Sequence, residues 1–144
     1  MRNFTFLFLI LLLPLVVLAH SSSSEAPADP AEVRMENLFQ QALAEDFTPG
    51  REVVVSHVEI PPHTTLQRHW HPGEEFIYLR DGEVEITIDG QSAMLDTPGE
   101  VAHVPFRKLH TAITHDRGAR VVVFRVHTTG EPVRYFEKGG SADQ

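Results

Sequence analysis

From Glu52 onward, turn-forming residues interrupt the chain every 8 to 12 residues, and the stretches between them are rich in β-branched and aromatic side chains. Intervals that short accommodate strands rather than helices of ordinary length. EVVVSHVEIPP ends at a proline pair, EEFIYLRDGEVEITIDG carries Asp81-Gly82 and Asp89-Gly90, and SAMLDTPGEVAHVPF and HTAITHDRGARVVVFRVHTT continue the cadence. Both Asp-Gly pairs read as hairpin turns. The cadence predicts an all-β sandwich or barrel.

The residues before this region behave differently. MRNFTFLFLILLLPLVVLAH has one early positive charge, an apolar run from Phe4 to Leu18, and small residues at Val17 and Ala19. That layout predicts an export signal, residues 1–19, cleaved after Ala19 and leaving a secreted or periplasmic protein with no stable membrane association. The apolar run is short for a spanning helix. Residues 20–32 are polar and Pro-containing and are expected to form a disordered linker. Residues 31–47 fit two patterns: Met35, Leu38, Phe39, Ala42 and Leu43 share helical spacing, whereas Val33 and Met35 alternate with Arg34 and Glu36 as in an edge strand. The end, 137–144, reads as a flexible tail.

Removing residues 1–19 takes away Arg2 and moves the net charge from −8 to −9. A negative surface argues against nucleic acid and anionic membranes as partners. The chain has no cysteine, so neither a disulfide nor a thiol contributes, and the 125 remaining residues must be stabilised by their own core.

Chemistry concentrates in HWHPGEEFIYLRDG, residues 69–82. Side chains alternate faces along a strand, so His69, His71, Glu75, Ile77 and Leu79 share one face if the Pro72-Gly73 bend keeps the register. Glu74, Phe76 and Tyr78 then face the other way, and Trp70 packs outside the pocket. Two imidazoles and a carboxylate on one buried face suit a first-row transition metal, which also supplies the counter-charge a buried carboxylate needs.

This stretch resembles the first motif of the cupin superfamily: His69 and His71 one residue apart, Glu75 after three more, Gly82 after six more. Gly99, Pro105 and His110 resemble its second motif. Over residues 50–130 the resemblance implies a double-stranded β-helix, the small jelly-roll or cupin barrel, spanning 33–136 and paired as a homodimer. It favours a strand for residues 33–41. It also implies one divalent metal ion held by His69, His71, Glu75 and His110, with Fe(II) as first choice and Mn, Ni, Cu or Zn as alternatives. The chain departs from the motifs at His63 and Arg107, where glycines are usual, and at Thr114, where an asparagine is usual.

The function expected is an exported, metal-dependent dioxygenase-type oxidoreductase acting on a small enolic or phenolic substrate. The alternatives are a metal-dependent isomerase or lyase and a non-catalytic small-molecule or sugar binder. A Lewis-acid route needs a base, and His57 and His103 are the candidate catalytic residues for it. Phe76, Tyr78 and Phe124 are expected in the core or a dimer interface. His63, His115 and His127 are expected in turns or at the surface. Arg107 and Lys108 are candidates for drawing an anionic substrate to the mouth.

Overall fold

The computed structural model describes residues 32–138. The segment expected to be an export signal, all but the last residue of the expected linker and most of the expected tail lie outside the described residues. Glu137, at the start of that tail, donates its N–H to the Arg68 carbonyl at 3.1 Å.

Ten strands follow one another: β1 Arg34–Ala42, β2 Arg51–Ile60, β3 His69–Trp70, β4 Gly73–Gly82, β5 Val84–Ile88, β6 Gln91–Leu95, β7 Val101–Val104, β8 His110–Ile113, β9 Ala119–Thr128 and β10 Tyr135–Phe136. They form two five-stranded sheets, ordered β1-β2-β9-β4-β7 and β10-β3-β8-β5-β6, with every pairing antiparallel. From β2 to β10 the chain passes repeatedly between the sheets. This is the jelly-roll expected.

Strict alternation places the core. In β2, Val54, Val58 and Ile60 are buried while their neighbours are partly exposed. In β9, Ala119, Val121 and Val123 do the same. Ile77, Leu79, Val84, Ile86, Leu95, Val104 and Ala112 join Val58, Ile60, Ala119, Val121 and Val123 in one cluster between the sheets. Burying each such side chain contributes about 1.5–3 kcal/mol.

β1 is a strand, paired along β2 with a bulge between Asn37 and Phe39. All nine of its residues are exposed. Of the helical stripe in its sequence only Met35 reaches the barrel cavity, so backbone pairing to the edge of β2 decides its conformation.

The two Asp-Gly pairs behave differently. Asp89-Gly90 joins β5 to β6 as a two-residue hairpin with positive φ at both residues, 48° and 80°, the type I′ geometry. Asp81-Gly82, expected to be a hairpin, is not one. β4 pairs with β7 and β9, whereas β5 lies in the other sheet with β6 and β8. Gly82 is the corner where the chain changes sheet. Its φ is 85°, and a Cβ there would lie 1.8 Å from the Gly118 carbonyl oxygen, so close backbone approach requires glycine.

Two of the three motif departures sit at strained backbone. His63 has φ 54° and Arg107 φ 58°, so non-glycine residues occupy the left-handed region at the two positions where the motifs usually carry glycine. The third, Thr114, is buried. Its hydroxyl donates to the Pro61 carbonyl at 2.5 Å and accepts the Thr64 N–H at 3.1 Å, fastening the 61–64 turn to the end of β8.

Candidate metal centre

The Pro72-Gly73 bend carries the chain from β3 in one sheet to β4 in the other. A Cβ on Gly73 would lie 2.3 Å from the Val126 carbonyl oxygen, so glycine lets the bend close against β9. The parity of the side chains survives the bend. His69, His71, Glu75, Ile77 and Leu79 are buried, while Phe76 and Tyr78 are exposed. His110 opens β8 and stands directly opposite His69 in the ladder.

Each of the three rings is oriented by a backbone carbonyl. His69 Nδ1 donates to the Gln67 carbonyl at 2.7 Å, His71 Nδ1 to the Val133 carbonyl at 2.5 Å, and His110 Nδ1 to the Lys108 carbonyl at 2.9 Å. A carbonyl only accepts, so each Nδ1 carries the hydrogen. The tautomer so fixed leaves Nε2 as the atom with a lone pair to offer a metal. This is the tautomer and outer support that metal-binding histidines use. The three buried histidines offer ligand atoms within 4.8 Å of one another and could hold a metal ion. His71 Nε2 and His110 Nε2 are buried without a hydrogen-bond partner. Buried polar atoms left unpaired are costly, and a cation accepting those lone pairs removes the cost.

Glu75 stands at the edge of this triad. Its Oε2 lies 2.8 Å from His71 Nε2, and its Oε1 lies 3.6 Å from His110 Nε2. Neither approach has the alignment of a hydrogen bond, whereas Arg125 Nε donates to Oε2 at 2.6 Å. Burial alone would raise the Glu75 pKa. The Arg125 guanidinium, the largest opposing cause, outweighs it and holds the carboxyl well below the usual range. The His69 pKa is pushed down to about 4, first by burial and then by the nearby His110. At neutral pH the carboxylate is charged and the His69 ring is neutral.

Arg125 was missed in the sequence. The signal was there: it shares parity with Val121 and Val123 on a face that is otherwise apolar. A charged residue on such a face needs a partner inside the barrel.

The cluster opens into a cavity of about 310 Å³ between the sheets. Ile60, Ile77, Val84, Ile86 and Val123 form much of its wall, and Gln67, Arg125 and Arg134 add polar groups.

The two proposed bases lie elsewhere. His57 has the outward parity of β2, and its Nε2 is buried without a partner beneath the outer face, beside Glu59, Arg80, Asp81 and Arg120. His103 is exposed on the outer face of β7, 2.5 Å from Glu74 and stacked on Phe76 with ring centroids 4.8 Å apart. Neither lines the metal-side cavity, because each occupies the strand parity that faces away from it. His127, expected in a turn or at the surface, is buried, with Nδ1 3.4 Å from Glu52 Oε1. It has the inward parity of Arg125. Lys108 pairs with Asp89, and Arg107 lies over the rings of Trp70 and Phe106. Neither lines the cavity.

A family profile described as a cupin domain matches residues 56–127, half of the chain. No curated protein matches. Among solved structures, the DMSP lyase DddQ from Ruegeria pomeroyi DSS-3 is 25% identical with a TM-score of 0.54, the alignment covering 58% of this chain and 42% of that one. A cupin-like protein from Thermotoga maritima MSB8 is 17% identical with a TM-score of 0.59, covering 73% and 75%. The polyketide cyclase RemF from Streptomyces resistomycificus is 21% identical with a TM-score of 0.54, covering 74% of each chain. The chain thus spans less than half the length of the lyase it matches.

Proposed function

The chain belongs to the cupin family, and on that premise we propose that it is a metal-dependent enzyme acting on a small organic molecule inside the barrel. The observation carrying this reading is the convergence of three buried histidines, each with its Nδ1 hydrogen committed to a backbone carbonyl. A bound divalent transition metal would supply Lewis acidity and, as Fe(II), one-electron chemistry toward O₂. His69, His71 and His110 would hold it through Nε2. Glu75 is the proposed fourth ligand, its carboxylate kept charged and oriented by Arg125. The apolar walls exclude bulk water and strengthen every electrostatic contact made there.

The reaction proposed is dioxygenase-type, on an enolic or phenolic substrate. Base-dependent chemistry is less well served, since His57 and His103 face away from the cavity. The base left at its wall, Glu75, has a lowered pKa and is correspondingly weak. A lyase is the second reading, favoured by the likeness to a DMSP lyase, with Glu75 then taking the proton. Oxygen uptake by Fe(II)-loaded protein over a panel of phenols and 1,3-diketones tests the first. Elimination from a propanoate bearing a leaving group on its β carbon, with the α proton taken, the leaving group released and an alkene formed without oxygen consumption, replaces it with the second. Tight binding by the metal-free chain with no turnover under any metal removes both.

We also propose that the protein is exported and pairs as a homodimer. Phe76, Tyr78 and Phe124 on the outer sheet face, and Leu38 and Phe39 on β1, are all exposed and support an interface there. Sedimentation of the processed chain as a monomer at micromolar concentration rules out the dimer. An unprocessed chain retained in the cytoplasm rules out export.

A further inference from the structure

The charges around the cavity do not cancel. Its lining includes two guanidinium groups, Arg125 and Arg134, and one carboxylate, Glu75. Glu75 is committed to Arg125. Arg134 has no acidic partner within ion-pair distance among the described residues. It is exposed, lies over the Phe136 ring at 5.3 Å, and lines the cavity with that ring, which places it at the rim. Inside, Arg125 is only 5% exposed, and its Nη1 is buried without any partner. An unpaired charged donor in a low-dielectric interior is costly and leaves uncompensated positive charge at the cavity wall. Three neutral histidines around a divalent ion would add to the same sign. The remaining wall is apolar apart from Gln67.

We infer that this cavity selects a small organic carboxylate with an apolar body, its anionic end drawn to Arg134 at the rim and to the uncompensated positive charge of Arg125, and its hydrocarbon part against Ile60, Ile77 and Val123. A volume of about 310 Å³ lies at the small end of ligand cavities and favours a small molecule. Arg107 and Lys108, the basic residues beside His110 in the sequence, have no part in this, since both lie off the cavity. The inference rests on the barrel cavity being the ligand site, as proposed above, but it does not require a metal to be present.

The test compares 3-methylbutanoate with its uncharged isostere 3-methylbutanamide, titrated by NMR into the full chain in metal-free and zinc-loaded forms. The carboxylate is expected to bind at least about tenfold tighter than the amide in both forms, as a charge-assisted contact would give. Arg134→Gln, at an exposed position unimportant to the core, should cut that ratio to about threefold without weakening the amide. Arg134→Lys should largely restore it. Equal affinities for the two compounds in the metal-free wild-type chain overturn the inference, and so does a ratio that Arg134→Gln leaves unchanged. A chain that takes up no zinc yet prefers the carboxylate loses the metal reading and keeps this one.

Discussion

Arg125 Nε donates to Glu75 Oε2 across 2.6 Å, joining β9 to β4 inside the barrel, and both side chains are buried. Removing one member of such a pair strands the other's charge, at a cost of roughly 3–5 kcal/mol. Arg125→Met should therefore destabilise the metal-free chain by about that amount. The double variant Glu75→Gln with Arg125→Met should recover most of it, because no lone charge remains. Urea unfolding of the two single variants and the double variant closes the cycle. Simple additivity would mean that the pair carries no coupling.

His110 stands opposite His69 and contributes one of three converging imidazoles. His110→Ala should weaken metal binding by well over about tenfold, the lower range seen when only a supporting partner is lost. Elemental analysis after dialysis reads this directly, and circular dichroism checks that the strands persist. Unchanged occupancy removes His110 from the ligand set.

The depressed pKa of His69, about 4 against the usual 6.5, makes the stability of the metal-free chain depend on pH. Between those values the unfolded chain binds more protons than the folded one. Stability is complete above pH 6.5 and falls as pH drops toward 4, by on the order of 3 kcal/mol in total. The Glu75 carboxyl, held below its usual range, keeps its own contribution until pH falls lower still. Urea midpoints from pH 7.5 to 4.5 measure this. His69→Gln should flatten most of the slope, and an equally steep slope in that variant would place its origin elsewhere.

His63 holds φ 54° without the freedom of glycine. The left-handed region costs an ordinary residue roughly 1–2 kcal/mol, and glycine returns part of that through unfolded-state entropy. His63→Gly should stabilise the chain by about 0.5–1 kcal/mol. Arg107→Gly should gain less, since it also loses contacts to Trp70 and Phe106. Thermal midpoints decide it, and a lower midpoint for His63→Gly would mean that its side chain contributes more than its backbone strain costs.

Much of the site was legible because it lies on strands. Period-two alternation put His69, His71 and Glu75 on one face, and a glycine at position 73 kept that register through the bend. The same rule, applied to β2 and β7, would have turned His57 and His103 outward. Their parity is opposite to that of Val54, Val58 and Val104, which are buried. Arg125 was readable in the same way and was overlooked. Asp81-Gly82 misled because a Gly-containing turn has the same local chemistry whether it closes a hairpin or turns a corner between sheets.

By itself the sequence determined the strand cadence, the inward face of each strand and the presence of two imidazoles and a carboxylate on one of them, since these follow from local backbone geometry and side-chain alternation. Tertiary structure alone decided which strands became neighbours. That brought His110 opposite His69, set Arg125 against Glu75, and placed the Val133 carbonyl beside His71 from sixty-two residues away. Such pairings are fixed by how two sheets close over a shared core, and no local pattern in the chain encodes the distance between residues that meet only when they do.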